Sequence, residues 1–455
     1  MKENVTMVLA KFISKIQYED LPKDTVQKAK EVTLDYLGAL LAGYNYSSLL
    51  SKKITDLMIN NGGKEEATII GPSIKVPVIN AALVNGVTSH VVELDDGHRI
   101  ARGHPGVVVL SSALSTAEYL GSSGKDLITA ITVGYDIFIR IASAVNPSHL
   151  KRGFHTTGTC GVFASAAAAS KLFGLNTEET ANALSLAGTQ AAGLLEVTID
   201  GQMAKALHSG KSAYAGVLAA LLAKEGVRGP KTLIEGVKGF SKAMSDECDY
   251  DIMLKDLGKA FYINECYIKL YPTCRHTHSP IDAVLELISE NDFSTNEIKK
   301  ILIKTYPTAV SFAGELFKPE TIEAAKFSIP YCICAALIYK KFGLNELKLE
   351  SINNPTVQTL IDKVKIEVDS SLENSLSKTK GAEVYISLND GRILYKKINL
   401  PKGEKENPIS YDELIKKFTY CTDYYFDENR RSKIIDKILS IDQTYNVNDL
   451  FALLI

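Results

Sequence analysis

The sequence predicts a mainly helical protein: a large all-helical domain accompanied by a smaller α+β domain. Through about the first 265 residues, apolar side chains recur at the spacing of an amphipathic helix. Near residue 265 the composition changes, because Ala becomes rarer and Lys, Ile, Asn and Glu become more frequent. Beyond that point, alternating apolar and polar residues flank Asp390-Gly391, a dipeptide typical of hairpin turns. We therefore predict a helical domain over residues 1–265, completed by 406–455, and an α+β domain over 266–405.

Seven helices are predicted in the first domain. The first begins near Leu21-Pro22-Lys23-Asp24, where Pro suits a helix start, and ends at Gly43. A Ser122-Ser123-Gly124 segment and the acidic Thr177-Glu178-Glu179 turn mark two later helix starts. The remaining predicted helices cover Asn80–Val92, Val107–Tyr119, Lys125–Val145, Gly161–Phe173, a stretch from Thr177, and Leu207–Lys224.

The second domain is predicted to combine strands with helices. The strands are Ile298–Tyr306, Val364–Asp369, Ala382–Leu388 and Arg392–Asn399, and the last two form a hairpin. The helices are Pro280–Glu290 and Ala324–Lys341. Three tail helices, Tyr411–Phe418, Arg430–Ser440 and Val447–Leu454, are expected to pack on the first domain.

Composition limits the classes of partner. The 455 residues carry 51 basic and 53 acidic side chains, so the net charge is −2. A nearly neutral chain has no basic surface of the kind that binds nucleic acid or anionic membranes. The longest uncharged run, Gly153–Ser170, is too rich in Gly, Ser and Thr to span a bilayer favourably. We expect no nucleic-acid partner and no membrane segment.

The cysteines and the N-terminal segment indicate the compartment. There are seven cysteines, an odd number, and none forms a Cys-x-x-Cys pair. A long chain with this pattern is not a disulfide scaffold, and Cys332 and Cys334 are expected to pack in a core. The first twenty residues lack the continuous apolar run of a secretory signal. We expect a reduced protein of the cytoplasm.

The densest group of polar residues lies between two predicted helices. His90, His98 and His104 stand within fifteen residues of one another, together with Glu93, Asp95 and Asp96. Such a group can hold a divalent metal ion. It can equally supply the acid and the base of a proton-transfer reaction. The residues alone leave both functions open.

Three further segments carry candidate functional groups. Residues 152–161 join Gly and Thr residues to His155 before an Ala-rich helix, which is a pattern typical of anion sites. In the segment from Asp200 to Lys211, Lys205 and His208 are three residues apart and are expected on one helix face. Residues 269–278 place Lys269, Arg275, His276 and His278 at the predicted domain boundary, where ligand clefts are common.

These segments resemble the MmgE/PrpD family, which includes 2-methylcitrate dehydratase, cis-aconitate decarboxylase and iminodisuccinate epimerase. The resemblance runs in order through nearly the whole chain. It rests on GFHTTGTCGVFASAAAASKLFGL, AKALHSGKSAYAGVLAALLA, KLYPTCRHTHSPIDA, and the closing DGR and PKGEKENPIS segments. It implies a two-domain fold with the cleft between the domains, a homodimer, a small di- or tricarboxylate as substrate, and neither a metal nor an organic cofactor.

The resemblance and the candidate segments together indicate which residues form the site. The proposed catalytic residues are His155, His104, Asp95, Lys205 and Lys269. The proposed substrate-binding residues are Glu93, Asp96, Thr156, His208, Arg275, His276 and Tyr331. The sequence departs from the family pattern at Gly97, where Thr is frequent, and at Lys326, where Arg is usual. Two arginines, Arg99 and Arg102, lie in a slightly longer loop before His104.

The expected chemistry is the formation of a carbanion beside a carboxylate. Cationic Lys205, Lys269 and Arg275 are expected to bind carboxylates and to spread the developing charge. His155 and His104 are expected to act as acid and base, with Asp95 orienting a histidine. We expect a cofactor-independent lyase, foremost a hydro-lyase of the 2-methylcitrate dehydratase type. The alternatives are an epimerase or decarboxylase of this family, a metal-dependent hydrolase using the His90–His104 cluster, and a helical scaffold without catalytic activity.

Overall fold

The fold is described from a computed structural model that covers residues 4–46, 48–198, 202–374 and 379–455. The chain divides into two compact units. Unit 1 takes the described residues of 1–197, 203–268 and 410–455, and unit 2 those of 198–202 and 269–409. The tail therefore belongs to the helical unit. The domain limits proposed from the sequence, at residues 265 and 405, stay predictions.

Unit 1 is built from helices. The longer ones are Val5–Lys15, Lys23–Tyr46, Ser48–Asn60, Val78–His90, Gly106–Leu120, Gly124–Val145, Gly161–Leu172, Thr177–Gly188, Leu207–Lys224, Tyr411–Thr422 and Glu428–Leu439. Shorter helices are Ser148–Lys151, Thr156–Thr159, Phe240–Met244, Tyr250–Leu254 and Asn448–Leu454. A small antiparallel pair of strands, Ala67–Ile69 and Ile74–Val76, was not predicted.

The predicted helices of unit 1 are confirmed, with one informative difference. The helix that begins at Lys23 continues through Gly43 to Tyr46. A Cβ atom at Gly43 would lie 1.9 Å from the carbonyl oxygen of Thr88. The prediction that Gly43 ends the helix was wrong, because this glycine serves the close approach of two helices. Ser123 and Asn176 cap the helices that follow them, as helix N-caps do.

Helix Gly124–Val145 is long and apolar enough to cross a membrane by composition alone. Within its apolar stretch of 18 residues, 94% is buried inside the protein. This burial is typical of the core helix of a soluble protein, since a membrane span would present apolar side chains to lipid. Arg140 and Asp136, on this helix, form a fully buried ion pair with Nε to Oδ2 at 2.5 Å.

Unit 2 contains a four-stranded sheet covered by helices. In spatial order the strands are Val364–Val368, Ile298–Thr305, Ala382–Leu388 and Ile393–Ile398. The last two form the predicted antiparallel hairpin, with Ala382 opposite Ile398. The first pair is parallel, with Ile301 opposite Val364. A second, two-stranded sheet pairs Glu373–Asn374 with Thr379–Lys380.

The helices of unit 2 pack their apolar side chains on the sheet and on one another. The helices are His278–Glu290, Pro307–Ala313, Ile322–Ala325, Ile329–Tyr339, Leu349–Ile352 and Pro355–Ile361. Ile281, Ile301, Ile333 and Val384 belong to one buried core. Cys332 and Cys334 are buried in it as free thiols, as predicted, and all seven cysteines are free.

One predicted helix of unit 2 was wrong in its extent. Instead of a single helix over Ala324–Lys341, the chain forms a short helix, Ile322–Ala325, and a second one, Ile329–Tyr339. Ser328 caps the second helix by accepting from the backbone N–H of Tyr331, and Pro330 occupies its first turn. Ser-Ile-Pro is a helix-start signal, and it outweighed the apolar periodicity on either side.

Candidate active site

One carboxylate in unit 1 joins two histidines. Asp95 Oδ1 lies 3.0 Å from His90 Nδ1, and Asp95 Oδ2 lies 3.0 Å from His104 Nδ1. Asp95 and His90 are almost fully buried, whereas His104 is partly exposed. The two imidazole rings are 4.9 Å apart between centroids. The His-Asp-His arrangement therefore places two titratable rings on one negative charge.

The hydrogen bonds of His104 determine its tautomer. His104 Nδ1 also lies 2.8 Å from the carbonyl oxygen of Asp96. A carbonyl oxygen only accepts, so Nδ1 carries the proton and Nε2 carries the lone pair. A carboxylate beside Nδ1–H can hold the charge of the ring when Nε2 takes up a second proton. His104 is therefore arranged as a proton donor and acceptor at Nε2.

Asp96 holds the loop rather than facing a ligand. Its Oδ1 accepts from the backbone N–H of Gly106 at 3.0 Å, and its Oδ2 accepts from the hydroxyl of Tyr135 at 2.6 Å. Burial raises the pKa of Asp96 to about 7, although the hydrogen bond from Tyr135 opposes this shift. Both carboxylate oxygens are thus engaged inside unit 1. We do not carry forward the expectation that Asp96 binds substrate.

His155 and His208 form a second histidine pair. Their Nδ1 atoms lie 2.9 Å apart, so one ring donates and the other accepts. Burial first, and then the charge of Lys205, hold the pKa of His155 well below its usual range. Burial also lowers the pKa of His208 to about 4. Both rings are therefore neutral near pH 7. The His155 ring is nearly parallel to that of His90, at 6.1 Å between centroids.

Lys205 supplies the cation of this group of residues. It lies in the 3₁₀ turn Met203–Ala206, immediately before helix Leu207–Lys224, and its Nζ forms an ion pair with Glu93 Oε1. Glu93 has a left-handed φ of 54°, three residues after the end of helix Val78–His90. Because a carboxylate repels an anionic substrate, we assign Glu93 to holding Lys205 and not to binding substrate. Asp200 and Gly201 of the same sequence segment lie outside the described residues.

Close helix packing brings these side chains together. His90 ends helix Val78–His90, and His208 lies in the first turn of helix Leu207–Lys224. A Cβ atom on Gly86 would lie 2.7 Å from the Cα of Gly210, so the backbones of the two helices are in direct contact.

Thr156, a proposed substrate-binding residue, is buried at the start of helix Thr156–Thr159, where its Oγ1 accepts from Asn146 Nδ2 at 3.3 Å.

A tail residue supports the same loop from behind. Lys417 Nζ donates to the carbonyl oxygen of Leu94 at 2.8 Å and to Asp35 Oδ1. Burial raises the pKa of Asp35, and the charge of Lys417 opposes that shift. Lys417, Asp35 and Tyr135 were not predicted as site residues, because they stand in no recognisable motif of the sequence. His90 was placed in the polar cluster, as a metal ligand or a proton-transfer group, but not among the proposed catalytic residues.

Two of the proposed residues of unit 2 are deeply buried. Lys269 is 0% exposed, and so is Tyr331. The Tyr331 hydroxyl donates to the backbone carbonyl of Glu346, and its ring packs near Phe342. A hydroxyl with its proton already donated inside a core has no proton left for a substrate. We do not carry Tyr331 forward as a substrate-binding residue.

Arg275 holds a loop inside unit 2. Its guanidinium donates to Glu404 Oε1 through Nε and Nη2, at 3.2 and 3.0 Å. The other donors reach His278 Nδ1 at 3.0 Å and the carbonyl oxygens of Lys402 and Pro401 at 3.0 and 3.3 Å. These contacts use all five N–H groups of the side chain. We therefore do not carry Arg275 forward as a carboxylate ligand.

His276 is the remaining proposed residue of this segment. Its Nδ1 lies 2.6 Å from the hydroxyl of Tyr306, and its ring contacts Phe312 at 5.5 Å between centroids. The ring is half-buried. His276 stays a proposed substrate-binding residue.

His90, Asp95 and His104 are also close enough together to hold a metal ion. One ligand atom from each lies within 4.8 Å of the others. The Nδ1 atom of each ring faces Asp95, so a metal ion bound there would displace the hydrogen bond between His90 and Asp95 and the close contact of His104 with the same carboxylate. In the described part of the chain, the group therefore suits proton transfer as it stands and a divalent ion only after rearrangement.

Comparison with known proteins identifies the family. The MmgE/PrpD N-terminal domain model matches residues 7–253, and the C-terminal domain model matches residues 271–441. A cis-aconitate decarboxylase-like protein of Aspergillus oryzae is 28% identical, over 99% of this chain and 97% of the relative. Cis-aconitate decarboxylase of Aspergillus terreus is 26% identical, over 100% and 96%.

A second activity is found among the relatives. The mitochondrial 2-methylcitrate dehydratase of Yarrowia lipolytica is 21% identical, over 90% of this chain and 82% of the relative. Decarboxylases and dehydratases of this kind are lyases, so the hydrolase and scaffold alternatives are not carried further. The two domain models together cover most of the sequence. The chain therefore belongs to the MmgE/PrpD family and is an enzyme of the lyase type.

Proposed function

We propose that this protein is a cofactor-independent lyase that releases CO₂ from a small unsaturated tricarboxylate of the cis-aconitate type. The observation that carries the proposal is the convergence of His104, His155 and Lys205 around Asp95 and Glu93. This group of residues combines a ring that can hold a proton, His104, with two neutral rings, His155 and His208, and a cation, Lys205. Decarboxylation is favoured over the dehydration expected from the sequence, because the decarboxylase relatives are the more similar ones.

The proposed reaction needs charge stabilisation and one proton. The C–C bond to one carboxylate breaks, CO₂ leaves, and the electron pair spreads into the neighbouring double bond and its carboxylate. Lys205 stabilises this charge, because a cation beside a developing enediolate lowers the barrier. A proton from the imidazolium of His104 then forms the new C–H bond, and solvent returns a proton to His104.

The two histidine groups have different electrostatic surroundings. Asp95 can stabilise a protonated His104, whereas burial beside Lys205 keeps His155 neutral. Separation of an acid from a base by their surroundings is typical of proton-transfer sites. We propose His104 as the proton donor, and His155 as the neutral ring that accepts a hydrogen bond or a proton from the substrate. Lys269 and His276 of unit 2 stay proposed ligands of substrate carboxylates.

The reaction is tested with purified protein and cis-aconitate in D₂O, followed by proton NMR and by CO₂ release. Decarboxylation gives CO₂ and one deuterium on carbon in the product. With 2-methylcitrate, the formation of an alkene without CO₂ would instead support the dehydratase, the second candidate. Absence of turnover with cis-aconitate, 2-methylcitrate and citrate would contradict a lyase acting on tricarboxylates.

We also propose a homodimer located in the cytoplasm. The homodimer rests on the family resemblance, and the reduced state of seven free cysteines supports the compartment. Light scattering after size exclusion tests the first proposal. A mass of one chain at working concentration would contradict it. Fractionation of the source cells tests the second.

A further inference from the structure

His90 carries a feature that the proposed mechanism does not use. It is 1% exposed, and its Nδ1 lies 3.0 Å from Asp95 Oδ1. Because the carboxylate takes the Nδ1 proton, Nε2 keeps the lone pair. That buried Nε2 has no hydrogen-bond partner within the described ranges of the chain. Glu93 Oε1 lies 3.9 Å from this Nε2 and is itself an acceptor.

His149, a structural histidine in the same unit, differs from His90 in its hydrogen bonds. His149 is also fully buried, but both of its ring nitrogens are satisfied. Its Nδ1 donates to the carbonyl oxygen of Met244 at 2.9 Å, and its Nε2 accepts from the hydroxyl of Thr159 at 2.7 Å. Buried polar atoms in proteins are nearly always paired, so an exception points to a ligand, a solvent molecule or a reacting group. His90 is such an exception.

The surroundings of His90 are those of a reacting ring. His104 shares Asp95 with it, and the ring of His155 lies nearly parallel to it at 6.1 Å. Lys205, paired with Glu93, and His208, paired with His155, belong to the same group of charged and titratable side chains. One carboxylate can balance one imidazolium, so a second proton on the pair of rings would leave an uncompensated buried charge.

We propose that His90 is a further catalytic residue, an acid–base group that acts at Nε2 and shares a single proton with His104 through Asp95. The proposal rests on the proposed lyase function and deepens it. When His104 has given up its proton and is neutral, His90 is the base. Its Nε2 takes a proton from a substrate carbon as the C–H bond breaks, and the electron pair stays beside the substrate carboxylate. Return of that proton regenerates neutral His90.

The consequence is measurable as hydrogen exchange. A base that removes and returns a carbon-bound proton exchanges it with solvent, so the product or substrate gains deuterium in D₂O beyond the single atom that decarboxylation adds. We expect this additional exchange in the wild-type enzyme. It is followed by proton NMR and mass spectrometry together with turnover of cis-aconitate.

The decisive variant is His90→Asn. The Asn amide can still donate to Asp95 from the position of Nδ1, but it has nothing at the position of Nε2. We expect kcat to fall at least about 100-fold, which is the usual contribution of an acid–base group, with KM within about threefold. The additional deuterium exchange should disappear and the melting temperature should stay the same. The matched control is His149→Gln, which should keep kcat within about threefold.

A second variant covers the case in which His90→Asn does not fold. His90→Ala leaves a ring-sized space, and added imidazole should restore part of the turnover if the ring itself reacts. If the wild type turns over substrate and the His90→Asn variant is equally active, the proposed role of His90 is overturned while the lyase function stands. Failure of imidazole to restore turnover to a folded His90→Ala variant would also overturn it. A wild type without turnover on any tricarboxylate would overturn the lyase function together with this proposal.

Discussion

Lys417 lies 323 residues after Leu94 in the sequence, and its ammonium group donates to the Leu94 carbonyl oxygen at 2.8 Å. The same ammonium pairs with Asp35, and both side chains are buried. The loop that carries Asp95 and Asp96 is therefore supported by a helix from the end of the chain. This contact links the stability of the fold to the geometry of the candidate active site.

We expect Lys417→Met to destabilise the protein by about 3 to 5 kcal/mol, because it leaves Asp35 buried without its partner. Urea denaturation followed by circular dichroism measures the change. The double variant Asp35→Asn with Lys417→Met should recover much of this loss, since no buried charge remains. A single variant within about 0.5 kcal/mol of wild type would show that the ion pair does not stabilise the fold.

Replacement of His155 tests the second histidine pair. We expect His155→Asn to lower kcat by about 100-fold or more, because an acid–base side chain contributes about that much. The fold should persist, as judged by the melting temperature, because the Asn amide can still hydrogen-bond to His208 from the position of Nδ1. Normal turnover in this variant would remove His155 from the mechanism.

Lys205 is expected to bind the substrate through its charge. In Lys205→Met, the apparent KM should rise about tenfold or more, in line with a charge-assisted hydrogen bond of about 1.5 to 3 kcal/mol. Lys205→Arg keeps the charge and should lose less. Lys224→Met, at the exposed end of the following helix, is the control. Equal KM values for Lys205→Met and Lys224→Met would contradict the binding role.

Gly210 tests the helix packing beneath the site. A Cβ atom there would lie 2.2 Å from the carbonyl oxygen of Leu83, so Gly210→Ala must push apart the helices that carry His90 and His208. We expect a loss of about 2 to 3 kcal/mol in unfolding free energy, together with a loss of turnover.

Gly38, where an added Cβ would make only ordinary van der Waals contacts, is the matched control for Gly210. At Gly38, also inside a helix, the nearest atoms to an added Cβ lie 3.5 Å away. Gly38→Ala should leave stability unchanged or raise it by up to about 1 kcal/mol, because Ala favours helices. If both variants behave alike, the close approach of the two helices is not the constraint we infer.

His149 should make stability depend on pH. Burial lowers its pKa from 6.5 to about 4, so the unfolded chain binds this proton more readily between those values. Its contribution to stability is therefore present above pH 6.5 and is lost as the pH falls through 4. The pKa values of His155 and His208 are lowered as well. The effect of His149 alone is therefore obtained by comparing wild type with a His149 variant.

The variant that isolates this group is His149→Gln, measured by urea denaturation at pH 7.5 and 4.5. The difference in unfolding free energy between wild type and variant should shrink by about 2 kcal/mol at the lower pH, from the linkage of pKa and stability. A difference that does not change with pH would contradict a depressed pKa at His149.

The sequence alone predicted the helical character of unit 1 and the hairpin of unit 2. Both follow from local patterns, because the spacing of apolar residues and a turn dipeptide act over a few neighbours. The family resemblance, carried by short motifs, was confirmed. The errors at Gly43 and at Ser328 arose where a glycine served packing and where a capping residue interrupted an apolar stretch.

Only the tertiary structure decided what the polar residues of those motifs do. Arg275 and Asp96 lie in segments predicted to bind substrate, yet their hydrogen bonds hold loops of the fold. His90 and His104 share Asp95 because a helix end and a loop meet there, and Lys417 reaches the same loop from the opposite end of the chain. A sequence specifies which donors and acceptors exist, but their pairing depends on distances set by long-range packing. That pairing separates a residue that supports the fold from one left to react.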